Sequence, residues 1–353
     1  MFGLFSSKKP FNAQVNATAT KLEVPAGDNL LNAALNSGLA WPHNCRVGSC
    51  GTCRCKLLEG EIKALNDFGY VLDADELDQG MILACQTRLR TDIAVEVTLD
   101  NQTASVVAAQ KSAGVVSSVT ELTHDIVEVR IKLEQPLPQF VAGQYAELTM
   151  EGIDDARSYS FARSPANEDA DTVSFYVRRV PDGVMSNLLH DGNRLGSKVS
   201  VSGPHGTFYM RESTVPALCI AGGSGLAPIK AMLEQCDQDG FNRKIIFLFG
   251  ARTQKDLYCI DDMEQLSAKH SQFSFLPVLS EVDDDNDWTG KRGLVTEYIN
   301  QQGLDIPACQ AYLCGPPPMI DAAIEILNKE GLDNSQIFFD KFLDASHLPG
   351  GKR

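Results

Sequence analysis

At 353 residues, the chain is long enough for two or three domains, each with a core of its own. Hydrophobic residues make up 43% and charged residues 22%, the mix of a soluble globular protein, and no apolar run nears the roughly 20 residues of a membrane span. A net charge of −15 argues against nucleic acid, whose phosphates need clustered Lys and Arg; it fits a basic docking partner or plain solubility.

In the N-terminal stretch "MFGLFSSKKP", five residues precede the serines, too few for the apolar region of a signal peptide, and the lysines follow rather than lead. This reads as a frayed tail on a cytoplasmic protein. In a reducing cytosol, clustered cysteines hold metal more often than they form disulfides.

"FNAQVNATATKLEVPAG" alternates like two short strands around a turn. "DNLLNAALNSGL" predicts a helix capped by Asp28 and ending near Gly38. After a cysteine-rich loop, "CRCKLLEGEI" and "TDIAVEVTL" read as strands, completing a small α+β domain. "DNQTASVVAAQKSAG" is small, polar and aperiodic, which predicts a linker. From Val115 to about Met210, the segments "VVSSVTEL", "DIVEVRIKL", "QYAELTM", "TVSFYVRRV" and "SKVSVSGP" have the rhythm of an antiparallel barrel. From Ala217 on, apolar strands alternate with helical stretches, the pattern of a doubly wound parallel sheet. The expected domains are residues 10–101, 112–211 and 212–353.

The loop "HNCRVGSCGTCRCKLLEG" holds Cys45, Cys50, Cys53 and Cys55. Cys45, Cys50 and Cys53 are spaced C-x4-C-x2-C, and Cys85 in "LACQTR" follows after 31 residues. That is the plant-type ligand spacing for a [2Fe–2S] cluster. A cluster needs a loop that turns sharply and aims N–H groups at sulfur; Gly48 and Gly51 permit the turns, and Ser49 and Thr52 are small. Zinc would want paired C-x2-C knuckles, and a single such pair is present. Cys55 falls two positions beyond Cys53, on the same strand face, and reads as a small buried residue near the cluster.

"CRVGSCGTCRC…LACQTR" resembles the plant-type ferredoxins, whose β-grasp fold has the strand and helix order read above. A ferredoxin ahead of a barrel and a nucleotide domain is similar to the reductase components of bacterial multicomponent oxygenases. The resemblance spans nearly the whole chain. It implies a β-grasp [2Fe–2S] domain, an antiparallel β-barrel that binds FAD and a doubly wound parallel-sheet domain that binds NADH. FAD is expected over FMN because the FMN-using relatives carry their ferredoxin at the C-terminus.

"RSYSFA" matches the family's R-x-Y-S motif, which implies that Arg157 pairs with phosphate, Tyr159 flanks the flavin ring and Ser160 sits near its N5, with Ser158 contributing backbone. In "GVMSNLLH", Gly183 starts a turn and a helix opens, and the resemblance implies that Val184, Met185 and Ser186 line the FAD pyrophosphate. The "GPHGTF" turn completes this pattern.

"AGGSGLAP", Ala221 to Pro228, lies after a strand and before a helix, so Gly222, Gly223 and Gly225 let backbone approach a dinucleotide. It is similar to the G-G-x-G-x-x-P of the ferredoxin–NADP reductase superfamily. "CGPPPM" matches that superfamily's C-G-P-x-x-M, which implies that Cys314, Gly315 and Pro316 sit beside the nicotinamide. In "ARTQKDLY", Ala251 replaces the Ser usual in NADPH enzymes while Arg252 and Lys255 remain; NADH is the expected donor. The ending "QIFFDKFL" resembles the family's F-E-K-F, so Phe342 either covers the flavin face or is a core aromatic of a last strand. Asp340 stands where the family often has Glu.

The expectation is an NADH:acceptor reductase, a two-electron to one-electron converter that feeds a partner oxygenase acting on aromatic or hydrocarbon substrates. It is expected to be a monomer, with no nucleic-acid or membrane partner. No side chain is needed as a general acid or base. A redox-sensing iron–sulfur flavoprotein and a reductase for a membrane hydroxylase or desaturase are the alternatives. Asp67, Asp73, Asp75, Glu76 and Asp78 offer either a docking face for a basic oxygenase or a solvated face.

Overall fold

A computed structural model of the chain describes residues 9–16, 21–43, 48, 51–99, 109–153, 156–191, 194–282 and 287–342. The chain divides into two compact units, Met1–Ala108 and Ala109–Arg353.

The first unit runs β1 (Phe11–Val15), β2 (Lys21–Val24), α1 (Leu30–Asn36), β3 (Arg54–Glu59), β4 (Ile62–Ala64), α2 (Ala74–Asp78), β5 (Met81–Leu83), β6 (Thr87–Leu89) and β7 (Ile93–Glu96). Its main sheet has the order β2-β1-β7-β3-β5, with β1 and β7 parallel. Buried Leu30, Leu31, Ala33 and Ala34 form the inner face of α1, in one apolar core with Trp41, Val95 and Cys55. The cap of α1 differs from expectation. Asn29, not Asp28, caps it, accepting from the Asn32 N–H at 2.8 Å. Asp28 instead holds the cap, accepting from the Asn29 N–H and the Asn32 side chain. Two adjacent residues with cap-competent oxygens leave the choice to backbone geometry.

The second unit begins with β8 (Gln110–Glu121), β9 (Ile126–Leu133), β10 (Tyr145–Met150), β11 (Arg157–Ser160), β12 (Thr172–Arg178), α3 (Val184–His190) and β13 (Lys198–His205). They form one antiparallel sheet of order β11-β10-β13-β8-β9-β12, and a bridge between Phe161 and Phe175 joins its two edges into a barrel. β8 starts at Gln110, inside the stretch read as linker. Pairing with β13, from Gly203 opposite Gln110 to Lys198 opposite Val115, recruits residues that carry no strand signal of their own.

The remainder comprises β14 (Ala217–Gly222), α4 (Leu226–Asp239), β15 (Ile245–Ala251), α5 (Ile260–Lys269), β16 (Phe273–Leu279), β17 (Lys291–Arg292), β18 (Gln310–Gly315), α6 (Pro317–Lys329) and β19 (Ile337–Lys341). The sheet is parallel throughout, in the order β17-β16-β15-β14-β18-β19. Every residue of β14 and β18 is buried, as expected of central parallel strands covered on both faces. The strand order reverses between β14 and β18, so the loops leaving those two strands diverge and open a crevice at the carboxyl edge.

Candidate functional site

Cys53 and Cys85 are both buried, at 3% and 1% exposure, in the core of the first unit. Their segments are tied together: the Cys53 carbonyl accepts from the Ala84 N–H at 3.1 Å and from Trp41 Nε1–H at 3.4 Å. Cys45 and Cys50 lie outside the described residues. Gly48 and Gly51 have φ of +81° and +71°, left-handed conformations that other residues rarely adopt. Arg54 braces the loop, donating from Nε to the Gly51 carbonyl at 3.0 Å and from Nη1 to Glu76 at 2.6 Å. Two buried cysteines on hydrogen-bonded segments, beside a glycine loop, fit a thiolate-ligated cluster. Cys55 is buried on β3 opposite Ile82, where burial pushes its thiol pKa far up, so it stays a protonated core residue. His43 is buried too, with Nδ1 2.8 Å from the Trp41 carbonyl.

Three of the acidic residues that could dock an oxygenase serve the unit's own structure. Asp67 accepts from the Gly69 N–H, and Asp73 and Glu76 form a reciprocal capping box at the start of α2.

On β11, Arg157 and Ser158 are exposed, Tyr159 is half-buried and Ser160 is buried. Tyr159 packs 6.4 Å from the Phe175 ring, and burial pushes its phenol up to about 12, so it stays a neutral ring at working pH. Gly183 caps α3, and a Cβ there would lie 2.6 Å from Ser186 Oγ. That hydroxyl accepts from the Val180 N–H at 3.1 Å and donates to the Gly183 carbonyl at 3.3 Å, so it shapes the turn. Met185 is buried in the barrel core while Val184 is 64% exposed. β12 touches both β11 and α3. Among the described residues, no side chain caps the start of α3 or α4. Uncapped N–H groups, a guanidinium and a neutral aromatic ring are the donor set that a flavin dinucleotide calls for.

The crevice at the switch point has a volume of about 250 Å³ and is lined by Gly222, Gly223, Ala251, Arg178, Pro316 and Met319, among others. The two glycine motifs expected to hold the nucleotide pack on each other. A Cβ on Gly225 would lie 2.3 Å from the Cys314 carbonyl oxygen, and one on Gly315 would lie 2.7 Å from that of Gly222. Gly223 has φ +56°, and its carbonyl accepts from the buried Tyr258 hydroxyl at 3.0 Å. Pro228 is buried in the first turn of α4. Cys314 is fully buried beside Asp340 on β19, and burial, helped by that carboxylate, holds its thiol well above the usual range. Phe342 donates its N–H to the Gly315 carbonyl at 2.9 Å and packs half-buried against the core of the second unit. The structure thus brings Phe342 to the edge that carries Cys314, Gly315 and Pro316.

Sequence reasoning missed the barrel's contribution to this crevice. Arg178, at the end of β12, donates to Asp125 at 2.9 Å, and both line it. Neither belongs to a motif; the cue was an arginine closing the strand just before "GVMSN". Arg252 lies 3.5 Å from Asp256, whose other oxygen accepts from the Thr253 N–H and hydroxyl. A larger cavity of about 570 Å³ lies between the barrel and α4 and α5; it is lined by paired charges such as Arg163–Glu128 and holds none of the motif residues.

The fold and these sites define an oxidoreductase in which an iron–sulfur domain precedes a flavin barrel and a nicotinamide nucleotide domain. The chain matches family models for a 2Fe-2S iron-sulfur cluster binding domain over residues 13–90, an oxidoreductase FAD-binding domain over 113–209 and an oxidoreductase NAD-binding domain over 219–325. It is 38% identical over 341 residues to the xylene/toluene monooxygenase electron transfer component of Pseudomonas putida, covering 96% of each chain. It is 35% identical over 344 residues to the phenol 2-monooxygenase reductase component of Pseudomonas sp. strain CF600, again covering 96% of each. The crystal structure of an Amycolatopsis cytochrome P450 reductase is similar with a TM-score of 0.81 at 29% identity, covering 94% of this chain and 98% of that one. The chain belongs to the family of ferredoxin-type reductases that serve as electron-transfer components of oxygenases. Its cofactors are a 2Fe-2S cluster, FAD and NAD. Among the described residues, no helix is long and apolar enough to cross a membrane.

Proposed function

We propose that the protein takes electrons from NADH and delivers them to the oxygenase component of an aromatic- or hydrocarbon-hydroxylating system. The observation that carries this reading is the crevice where the glycines of β14 and β18 interlock and Arg178 of the barrel enters. The monooxygenase relatives support an oxygenase as the acceptor. When bound, NADH supplies a hydride, FAD takes the pair and releases electrons singly, and the cluster carries one at a time.

The chain's own residues bind and orient. Arg157 faces solvent as a cation for the flavin's phosphates, and the neutral Tyr159 offers a wall for its ring. Cys314 keeps its proton, so it acts by shape at the nicotinamide rather than as a nucleophile. Phe342 closes the edge beside it. Cys45, Cys50, Cys53 and Cys85 are the proposed cluster ligands. The preference for NADH rests on Ala251, which has no hydroxyl for a 2′-phosphate, and on Asp256, which lines the crevice 3.5 Å from Arg252 and offsets its charge. The working parts are proposed to be residues 10–101, 112–211 and 212–353 of a cytoplasmic monomer.

An anaerobic absorbance titration of the purified protein tests the reading. NADH is expected to bleach the flavin and iron–sulfur bands together at low concentration, with NADPH needing far more. A cluster that stays oxidised while the flavin is reduced sinks the proposed path, and equal response to NADPH sinks the donor preference. Light scattering after size exclusion checks the monomer.

A further inference from the structure

The residue after the fourth cysteine of the cluster motif is Gln86. Its side-chain nitrogen lies 3.7 Å from Cys85 Sγ. Gln86 is 8% exposed, and its main-chain carbonyl accepts from the Leu65 N–H at 2.8 Å. Its Cγ fills the space in front of Gly48, where an added Cβ would lie 2.5 Å away. A buried amide is thus wedged between the cluster loop and the sulfur of Cys85.

We propose that Gln86 sets the reduction potential of the cluster by donating an N–H to Cys85 Sγ; this rests on the cluster reading above. An amide has one attractive orientation toward a thiolate, with its N–H groups forward, because the carbonyl oxygen would face a negative sulfur. Burial strengthens the bond, since no water competes for the sulfur. Reduction adds negative charge to the cluster and its sulfurs, so the donor favours the reduced form and raises the potential. Gln86 moves no proton and no electron. Packing alone would explain its fit against Gly48 but not the amide at the sulfur, where an apolar side chain would fill the space equally well.

The test is an EPR-monitored redox titration of the whole cofactor-loaded protein beside two variants. Gln86→Met keeps the length and bulk of the side chain and removes the donor. Its cluster is expected to have a reduction equilibrium constant lower by about tenfold, which is about 59 mV for a one-electron couple. Gln86→Glu keeps the shape and reverses the polarity, and is expected to lower the potential further. The flavin midpoint in the same titration should not move. Cluster potentials equal to the parent's in both variants overturn the assignment. Loss of the cluster from both also overturns it, making Gln86 a residue of cluster assembly. Absence of iron and of the reduced-cluster signal from the parent protein would instead overturn the cluster reading itself.

Discussion

Gly315 has φ +136°, and a Cβ there would lie 2.7 Å from the Gly222 carbonyl oxygen and 3.0 Å from its nitrogen. Both contacts are backbone, so nothing can swing aside. Gly315→Ala is expected to cost about 3 kcal/mol from backbone conformation and overpacking together. It should also raise the KM for NADH, because the two loops must part; urea denaturation and steady-state kinetics check both. Glu168 makes a signed prediction for pH. Its side chain is 3% exposed, and burial raises its carboxyl above the usual range against the pull of Ser174 and Arg130. Between the ordinary carboxylate value and the raised one, the folded state holds a proton that the unfolded state releases. Stability therefore falls as pH rises through that window. Glu168→Gln is expected to remove this fall, matching the parent in acid and exceeding it at neutral pH. A series of urea melts from acidic to neutral pH measures it, and parallel curves for the two proteins would refute it.

Helix α4 does more than start at the nucleotide motif. Lys230 on its buried face pairs with Glu234 one turn on and lies 3.6 Å from Asp262 of α5. Glu234 also accepts from the Ser164 N–H of the barrel at 2.9 Å. One ammonium thus joins α4, α5 and, through Glu234, the barrel. Removing one partner from a buried pair strands the other charge. Lys230→Met is expected to destabilise the second unit by about 3 kcal/mol, read by chemical denaturation followed through flavin fluorescence. A loss near zero would mean the pair is solvated rather than structural. α4 also shows what amphipathic patterning misses: its first eight residues, Lys230 included, are all buried.

The cysteines expected to hold the cluster lie in the first unit, and the flavin and nucleotide motifs in the second. Cys85→Ser is therefore expected to lose the cluster's absorbance while NADH still bleaches the flavin. If the variant loses flavin binding as well, the two units do not fold independently. Reduction of cytochrome c, a protein acceptor expected to draw on the cluster, should fall much further in this variant than reduction of ferricyanide, a small one-electron oxidant able to draw on the flavin directly. Equal falls would count against the cluster as the exit for electrons.

The sequence by itself determined the order of the three parts and the chemistry of each. Cysteine spacing, "RSYS", "GGSG" and "CGPPPM" are short motifs whose meaning lies in residue type and local turn, which the chain carries without help from distant partners. Local signals ran out where alternatives were close in energy, as at Asp28 and Asn29, or where a neighbouring strand supplied the missing preference, as at Gln110. The tertiary structure alone decided that Gly225 and Gly315 serve each other's loops, that Arg178 and Asp125 reach the crevice at the carboxyl edge of the sheet, and that Gln86 meets Gly48. Each of these is a contact between segments far apart in the chain. Its existence depends on strand order and register, which a local pattern does not encode.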